Sequence, residues 1–371
     1  MKPNYENEKL KRRYRTHLVG AQGMSAGTVL TVIRALKHYE QLFEGEDYSY
    51  FNQRRAMDVK KHLEKQAWET KSLSGNTAYH TLRILKRFFS WLAEQPGFKK
   101  KISLDAVSYL SLDLRKTQEV LNPVDRPFPS LEYVLKLVHS IIGDTEIARR
   151  DRAIIAFLLL SGMRFSALIS LPMGCFDPHS LRIDQDPRRG VKTKFGKAIP
   201  SKLMVFDERM LLPILDWYRY LLSERLFPNT APLFPKTLIE QAENVLSFAQ
   251  VGVSDQFWKS GSGLREILQK RSQEAGLDYF NPHSFRHAAV HLAMERCQTP
   301  EEFKAVSQNL GHSKPMTTLM NYGTLPNDRM RTVLGEINFG KPARSQGQRV
   351  SLRAITEFLN RDGIELDDDI T

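Results

Sequence analysis

The chain is 371 residues long, 41% hydrophobic and 26% charged, an ordinary globular composition with room for two or three separate cores. No apolar run reaches the roughly 18 to 20 residues of a membrane span, the N-terminus has no apolar signal core, and two cysteines, Cys175 and Cys297, are too few for a disulfide framework or a thiolate metal cage. A reducing cytoplasm is the expected setting, and a net charge of +12, with 22 Lys and Arg against 14 Asp and Glu in the first 125 residues, suits a polyanionic partner such as nucleic acid.

Residues 1–24 read as a polar, basic lead-in containing Lys11-Arg12-Arg13 and Arg15, frayed at its start. Ser25-Ala-Gly-Thr28 then opens a helical stretch in which Val29, Ile33, Leu36, Tyr39 and Phe43 share a face, with Arg34, Lys37 and His38 between them. A second helix is expected over about residues 52–67. Ser74-Gly-Asn-Thr77 opens a third, striped by Leu82, Leu85, Phe88, Phe89 and Leu92, with Arg83, Lys86 and Arg87 off the stripe. Residues 25–120 therefore read as a small all-helical domain with basic outer faces, able to hold a DNA backbone without reading its sequence. Turn signals over residues 96–127 mark a linker, with a short ordered piece at 104–114 and a boundary near 120–128.

A second domain follows over residues 121–340. Helices are expected over about 130–142 and 149–160, the latter apolar nearly all round and so buried, and Ser161-Gly162 stops it before a helix restarts at Arg164. Residues 176–200 hold strand-like pieces and a lysine-bearing hairpin. An amphipathic helix carrying Trp217 and Tyr218 spans about 208–226, then a loop-rich segment runs to about 260. Helices are expected over 264–275, from His283 to about residue 296, and over 300–310, ahead of a Leu-Gly-His turn at His312. A tail over 341–371, with a short helix near 350–359, ends at Asp367-Asp-Asp369. The fold class is mainly α with a small β-hairpin or sheet.

Breaking a phosphodiester while keeping its bond energy requires three things. A nucleophile must form a covalent phosphate ester, fixed positive charge must meet the non-bridging oxygens, and an acid must protonate the departing sugar oxygen. Tyrosine suits the first role, because its phenol is a better leaving group than an alcohol. Arginine suits the second, through its always-charged planar fork. Histidine trades protons near neutral pH, and a lysine on a hairpin can supply the acid. Ser-Gly-Met-Arg164, His283-Ser-Phe-Arg286-His287, Leu-Gly-His312 and Thr-Thr-Leu-Met-Asn-Tyr322-Gly carry this set in order. Neither an acidic cluster nor a metal motif accompanies them, so a metal-dependent nuclease is disfavoured and no cofactor is expected. His287 and His291 read as structural.

These four motifs, and the Ser-x-Gly-Thr entry of the helical domain, resemble the tyrosine recombinase (phage integrase) family, most strongly over residues 149–325. The resemblance implies a helical core-binding domain followed by a catalytic domain. It also implies a site-specific recombinase that cuts and rejoins double-stranded DNA through a 3′-phosphotyrosyl link. Tyr322 would be the nucleophile, Arg164 and Arg286 would hold the scissile phosphate, His283 would assist proton transfer at the tyrosine, and His312 would hydrogen-bond the phosphate. Lys192, eight positions before Pro200, would be the hairpin acid, with Lys194 as the alternative. The family further implies a tetramer on two DNA sites, with the C-terminal tail docking on a neighbouring subunit and accessory DNA-bending or directionality proteins as partners. Two other readings keep the same residues: a catalytically silent DNA-binding or architectural protein, and a topoisomerase or resolvase. The acidic residue usual three positions after the first arginine is Ala167 here, and ten positions rather than nine separate His312 from Tyr322.

Overall fold

A computed structural model describes residues 4–121, 127–241 and 248–312, and the chain divides into two compact units, Met1–Asn122 and Pro123–Thr371. The structure is mostly helical, with two small antiparallel sheets.

The first unit is built from helices α1 (Tyr5–Gly20), α2 (Ala26–Leu42), α3 (Gln53–Glu64), α4 (Gly75–Ala93), α5 (Leu104–Ser108) and α6 (Leu114–Leu121). Side-chain oxygens of Asn4, Ser25, Asn52 and Ser74 cap α1 to α4 by accepting from the exposed N–H groups of the first turn. The core is aromatic: Tyr14, Tyr39, Tyr48, Phe51, Phe88 and Phe89 are almost fully buried, and Phe51 stacks on Phe89 at 3.8 Å.

Two segments differ from the sequence expectation. The lead-in of residues 1–24 contains α1, whose Leu10, Tyr14 and Leu18 enter the core from one face at four-residue spacing. Its Lys11 is buried too, bonded to Glu40 at 2.9 Å, and Tyr48 donates to the same carboxylate at 2.8 Å. A buried charge paired in this way is tolerable, and a helix carrying it looks polar by composition. The expected linker holds α5, inside the ordered piece expected over 104–114, but also contributes α6 beyond it, and Ile102, Ala106, Val107 and Leu110 are buried against the bundle.

The second unit contains α7 (Leu131–Ser140), α8 (Glu146–Ser161), α9 (Phe165–Leu168), β1 (Phe176–Asp177), β2 (Arg182–Gln185), β3 (Ile199–Lys202), α10 (Leu211–Ser223), β4 (Thr237–Gln241), β5 (Phe248–Val253), α11 (Ser262–Glu274), α12 (Pro282–Met294) and α13 (Pro300–Asn309). As its unbroken apolar run implies, α8 is the buried axis, every residue from Ala153 to Leu160 being at most 1% exposed. At its start Arg150 and Asp151, both buried, pair at 2.8 Å, and Asp151 also binds Arg271 of α11.

The strands β1-β2-β3 form one antiparallel sheet in that order, so β3 is an edge. Between β2 and β3 runs the connection that carries Lys192 and Lys194. The segment expected to be loop-rich instead holds the antiparallel pair β4–β5. The short helix expected near 350–359 lies outside the described residues, as does Tyr322.

Candidate active site

Three helix ends build the site. Helix α8 stops at Gly162, which takes the left-handed conformation (φ +56°) that favours glycine. A Cβ there would stand 2.7 Å from Leu310 Cδ2 and 3.1 Å from Ala289 Cβ, so the position is tight as well as left-handed. Two residues on, Arg164 caps the start of α9 with an extended backbone and a half-buried side chain. Burial is the one cause that lowers its pKa, with no neighbouring carboxylate to offset it among the described residues. Ala167, standing where an acidic brace is usual, is packed in the core at 1% exposure.

Arg286 lies on α12, whose N-terminus is fixed by Asn281 and Pro282. It is 5% exposed. Its Nη1 donates to the carbonyl of Gly162 and its Nη2 to the carbonyl of Leu310, both at 2.7 Å, and Nη2 also approaches His312 Nε2 at 2.8 Å. The two carbonyls belong to the C-terminal ends of α8 and α13, where the helix dipole is negative, so backbone rather than a carboxylate balances this buried cation. Burial first, and then the charge of Arg164, pull the Arg286 pKa down to about 9, which leaves it charged at neutral pH.

His312 is the last described residue and follows the left-handed Gly311 (φ +68°). Burial, followed by the charges of Arg286 and Arg164, lowers its pKa to about 4. The imidazole is therefore neutral at pH 7. Because a guanidinium can only donate, Nε2 is the acceptor and Nδ1 carries the proton. His283 sits three positions before Arg286 on the same helix face, exposed, with its ring 4.6 Å from that of His287.

The lysine connection is tied to the Arg164 segment. The backbone N–H of Lys192 donates to Ser170 Oγ at 2.8 Å, and Ser166 Oγ donates to the Lys192 carbonyl at 3.3 Å. Lys192 is exposed beyond this tether. Lys194 lies two residues further, on a turn where Phe195 is left-handed and 92% exposed. Of the six expected residues, Arg164, Arg286 and His312 thus meet in one electrostatic cluster. Lys192 is fastened by its backbone beside α9, His283 shares the helix of Arg286, and Tyr322 lies outside the described residues. The sequence reading missed the main-chain acceptors Gly162 and Leu310 and the serine tether. The Ser-Gly helix stop and the Ser166/Ser170 spacing of one turn were the available signals. Among the described residues no group of three or more His, Cys, Asp or Glu side chains is placed to hold a metal ion.

Comparison with known proteins gives the family. The model of the phage integrase family matches residues 132–328, more than half of the chain. The tyrosine recombinase XerC of Corynebacterium efficiens is 29% identical over 181 residues, 48% of this chain and 48% of its own. The tyrosine recombinase XerD of Neisseria meningitidis serogroup B is 27% identical over 200 residues, 53% and 58% of the two chains. The chain thus spans about half the length of these curated relatives. Among solved structures, a lambda integrase dimer bound to a COC′ core site superposes with a TM-score of 0.56 at 12% identity, covering 92% of this chain and 80% of that one, which supports the fold. By the family match over more than half of its length, the chain belongs to the phage integrase family.

Proposed function

We propose that the protein is a site-specific DNA recombinase that breaks and rejoins strands through a covalent 3′-phosphotyrosyl intermediate. The observation that carries this reading is the pair Arg164 and Arg286, whose charges bear on each other while no carboxylate among the described residues neutralises them. A cation pair left without an acidic partner is poised for an incoming anion, and a phosphate with charge growing on its non-bridging oxygens fits that need.

In this reading the Tyr322 phenol attacks phosphorus, its proton passing toward His283. The P–O bond to the 5′ sugar breaks, and the leaving oxygen takes a proton from Lys192. The backbone tether of Lys192 to Ser166 and Ser170 favours it over Lys194, because it fixes the lysine to the segment that carries Arg164. The neutral His312 gives the phosphate a hydrogen-bonding partner that adds no third charge to the pair. Reversal with a new 5′ hydroxyl rejoins the strand, since the ester retains the bond energy.

Residues 25–120 would hold the duplex. A groove of about 900 Å³ in the first unit is lined by Ser25, Thr28 and Thr31 at the start of α2 and by His80, Arg83 and Arg87 on α4. The serine-capped N-terminus of α2 and the cationic side chains of α4 suit phosphate contacts. Residues 121–340 would carry the chemistry, and residues 341–371 would dock on a neighbouring subunit of a tetramer joining two duplexes, with accessory DNA-bending proteins where the target requires them.

The test is covalent capture from a library of sequence-randomised nicked duplexes that lose a short fragment on cleavage. The wild-type chain should become linked to a defined subset of sequences, and Tyr322→Phe should link to none. Binding without capture by the wild type would leave a DNA-binding role alone. Plasmid relaxation without sequence preference would instead mark a topoisomerase.

A further inference from the structure

Asn309, the last residue of α13, makes an unusual pair of bonds. Its Oδ1 accepts from the backbone N–H of Lys202 at 2.7 Å, and its Nδ2 donates to the carbonyl of the same residue at 3.0 Å. Lys202 ends β3, the edge strand of the three-stranded sheet. Both of its backbone groups therefore face away from β2, and the asparagine amide occupies the place of a missing neighbouring strand. The same short turn presents the Leu310 carbonyl and His312 Nε2 to Arg286. At Gly311 it approaches β3 so closely that a Cβ would stand 2.4 Å from Ile199 Cδ1. One four-residue turn thus grips both the arginine cage and the strand into which the lysine connection runs.

We propose that Asn309 is a positioning residue that holds the lysine connection in register with the arginine cage, so that proton delivery to the leaving oxygen stays aligned with the phosphate. This rests on the reading of Lys192 or Lys194 as the proton donor. The chemistry of the side chain is specific. Aspartate keeps the acceptor for Lys202 N–H but sets an anion against its carbonyl, glutamine displaces the amide by one methylene, and alanine removes both bonds. β3 has a second anchor just beyond it, where Met204 N–H donates to the Leu160 carbonyl at 2.7 Å. Loss of Asn309 should therefore loosen the alignment of sheet and turn while the fold persists.

The experiment uses the full chain and the duplex recovered by covalent capture, in two forms: with oxygen, or with sulfur, at the bridging 5′ position of the scissile phosphate. A thiolate leaves with the bonding electron pair and needs no proton, so the sulfur duplex bypasses the donor. Asn309→Ala should slow cleavage of the oxygen duplex about a hundredfold, the scale of an ångström-sized misplacement. On the sulfur duplex it should return to within about threefold of the wild type, because no proton transfer remains to be misaligned. Asn309→Asp, which keeps one of the two bonds, should fall between alanine and wild type, and it serves as the test should alanine unfold. An oxygen-duplex rate equal to wild type, or a deficit that sulfur does not recover, would overturn the proposal. Lys192→Ala and Lys194→Ala are run in parallel. If sulfur rescues neither lysine variant, the donor reading itself falls and the role given to Asn309 falls with it. If sulfur rescues a lysine variant but not Asn309→Ala, only the asparagine proposal is lost.

Discussion

His312 illustrates how much a single residue's chemistry is set by distant chain. Its pKa is lowered to about 4 from an ordinary 6.5 by burial and by two arginines, Arg164 and Arg286. The unfolded chain therefore takes up the proton first as pH falls. The contribution to stability is fully present above about pH 6.5 and is lost progressively toward pH 4. Urea midpoints measured from pH 7.5 to about 4.5 should fall more steeply for the wild type than for His312→Gln, and parallel curves would refute the assignment. The identities of Arg164, Arg286 and His312 were legible because three short motifs name them. The neutral state of the imidazole was not legible, since it arises only when segments more than a hundred residues apart converge.

At the scale of elements, the site depends on where helices stop. Gly162 combines a left-handed backbone with a Cβ position 2.7 Å from Leu310 Cδ2, and its carbonyl receives Arg286. Gly162→Ala should cost about 2 kcal/mol, the sum of the left-handed penalty and local overpacking. It should also slow covalent capture, because Leu310, pushed aside, carries the second carbonyl. Chemical denaturation and capture kinetics on the same preparation check both effects.

The long helices were readable from apolar stripes and capping residues, as with Ser25 before α2 and Ser74 before α4. Helix α1 escaped because Leu10, Tyr14 and Leu18 stand among charged residues, one of which, Lys11, is itself buried on Glu40. The β4–β5 pair escaped for a related reason: Thr237–Gln241 includes Glu240 and Gln241, and β5 includes Gln250 and Gly252, so neither strand alternates cleanly.

Over the whole molecule, each unit has its own core, and the basic surplus of the first 125 residues falls largely on the first unit. Residues 1–122 expressed alone should fold cooperatively and bind duplex DNA with an affinity that falls steeply with salt. Replacing Arg83 and Arg87 together by alanine should weaken binding uniformly across sequences and reduce the salt slope by about two. Salt titrations by fluorescence anisotropy decide this, and an unchanged slope would place the phosphate contacts elsewhere. The two-part organisation was legible in the turn-rich stretch near residue 120. The joining of α5 and α6 to the first core was not, because their few apolar residues have meaning only against α3 and α4.

The anchoring of Arg286 on two main-chain carbonyls has a consequence for how such a site tolerates drift. A carboxylate brace is lost with one codon, whereas a peptide oxygen is supplied by whatever amino acid occupies the position. Heredity of the cage is thus written less in the identity of its supports than in punctuation, in the points at which two helices are told to end.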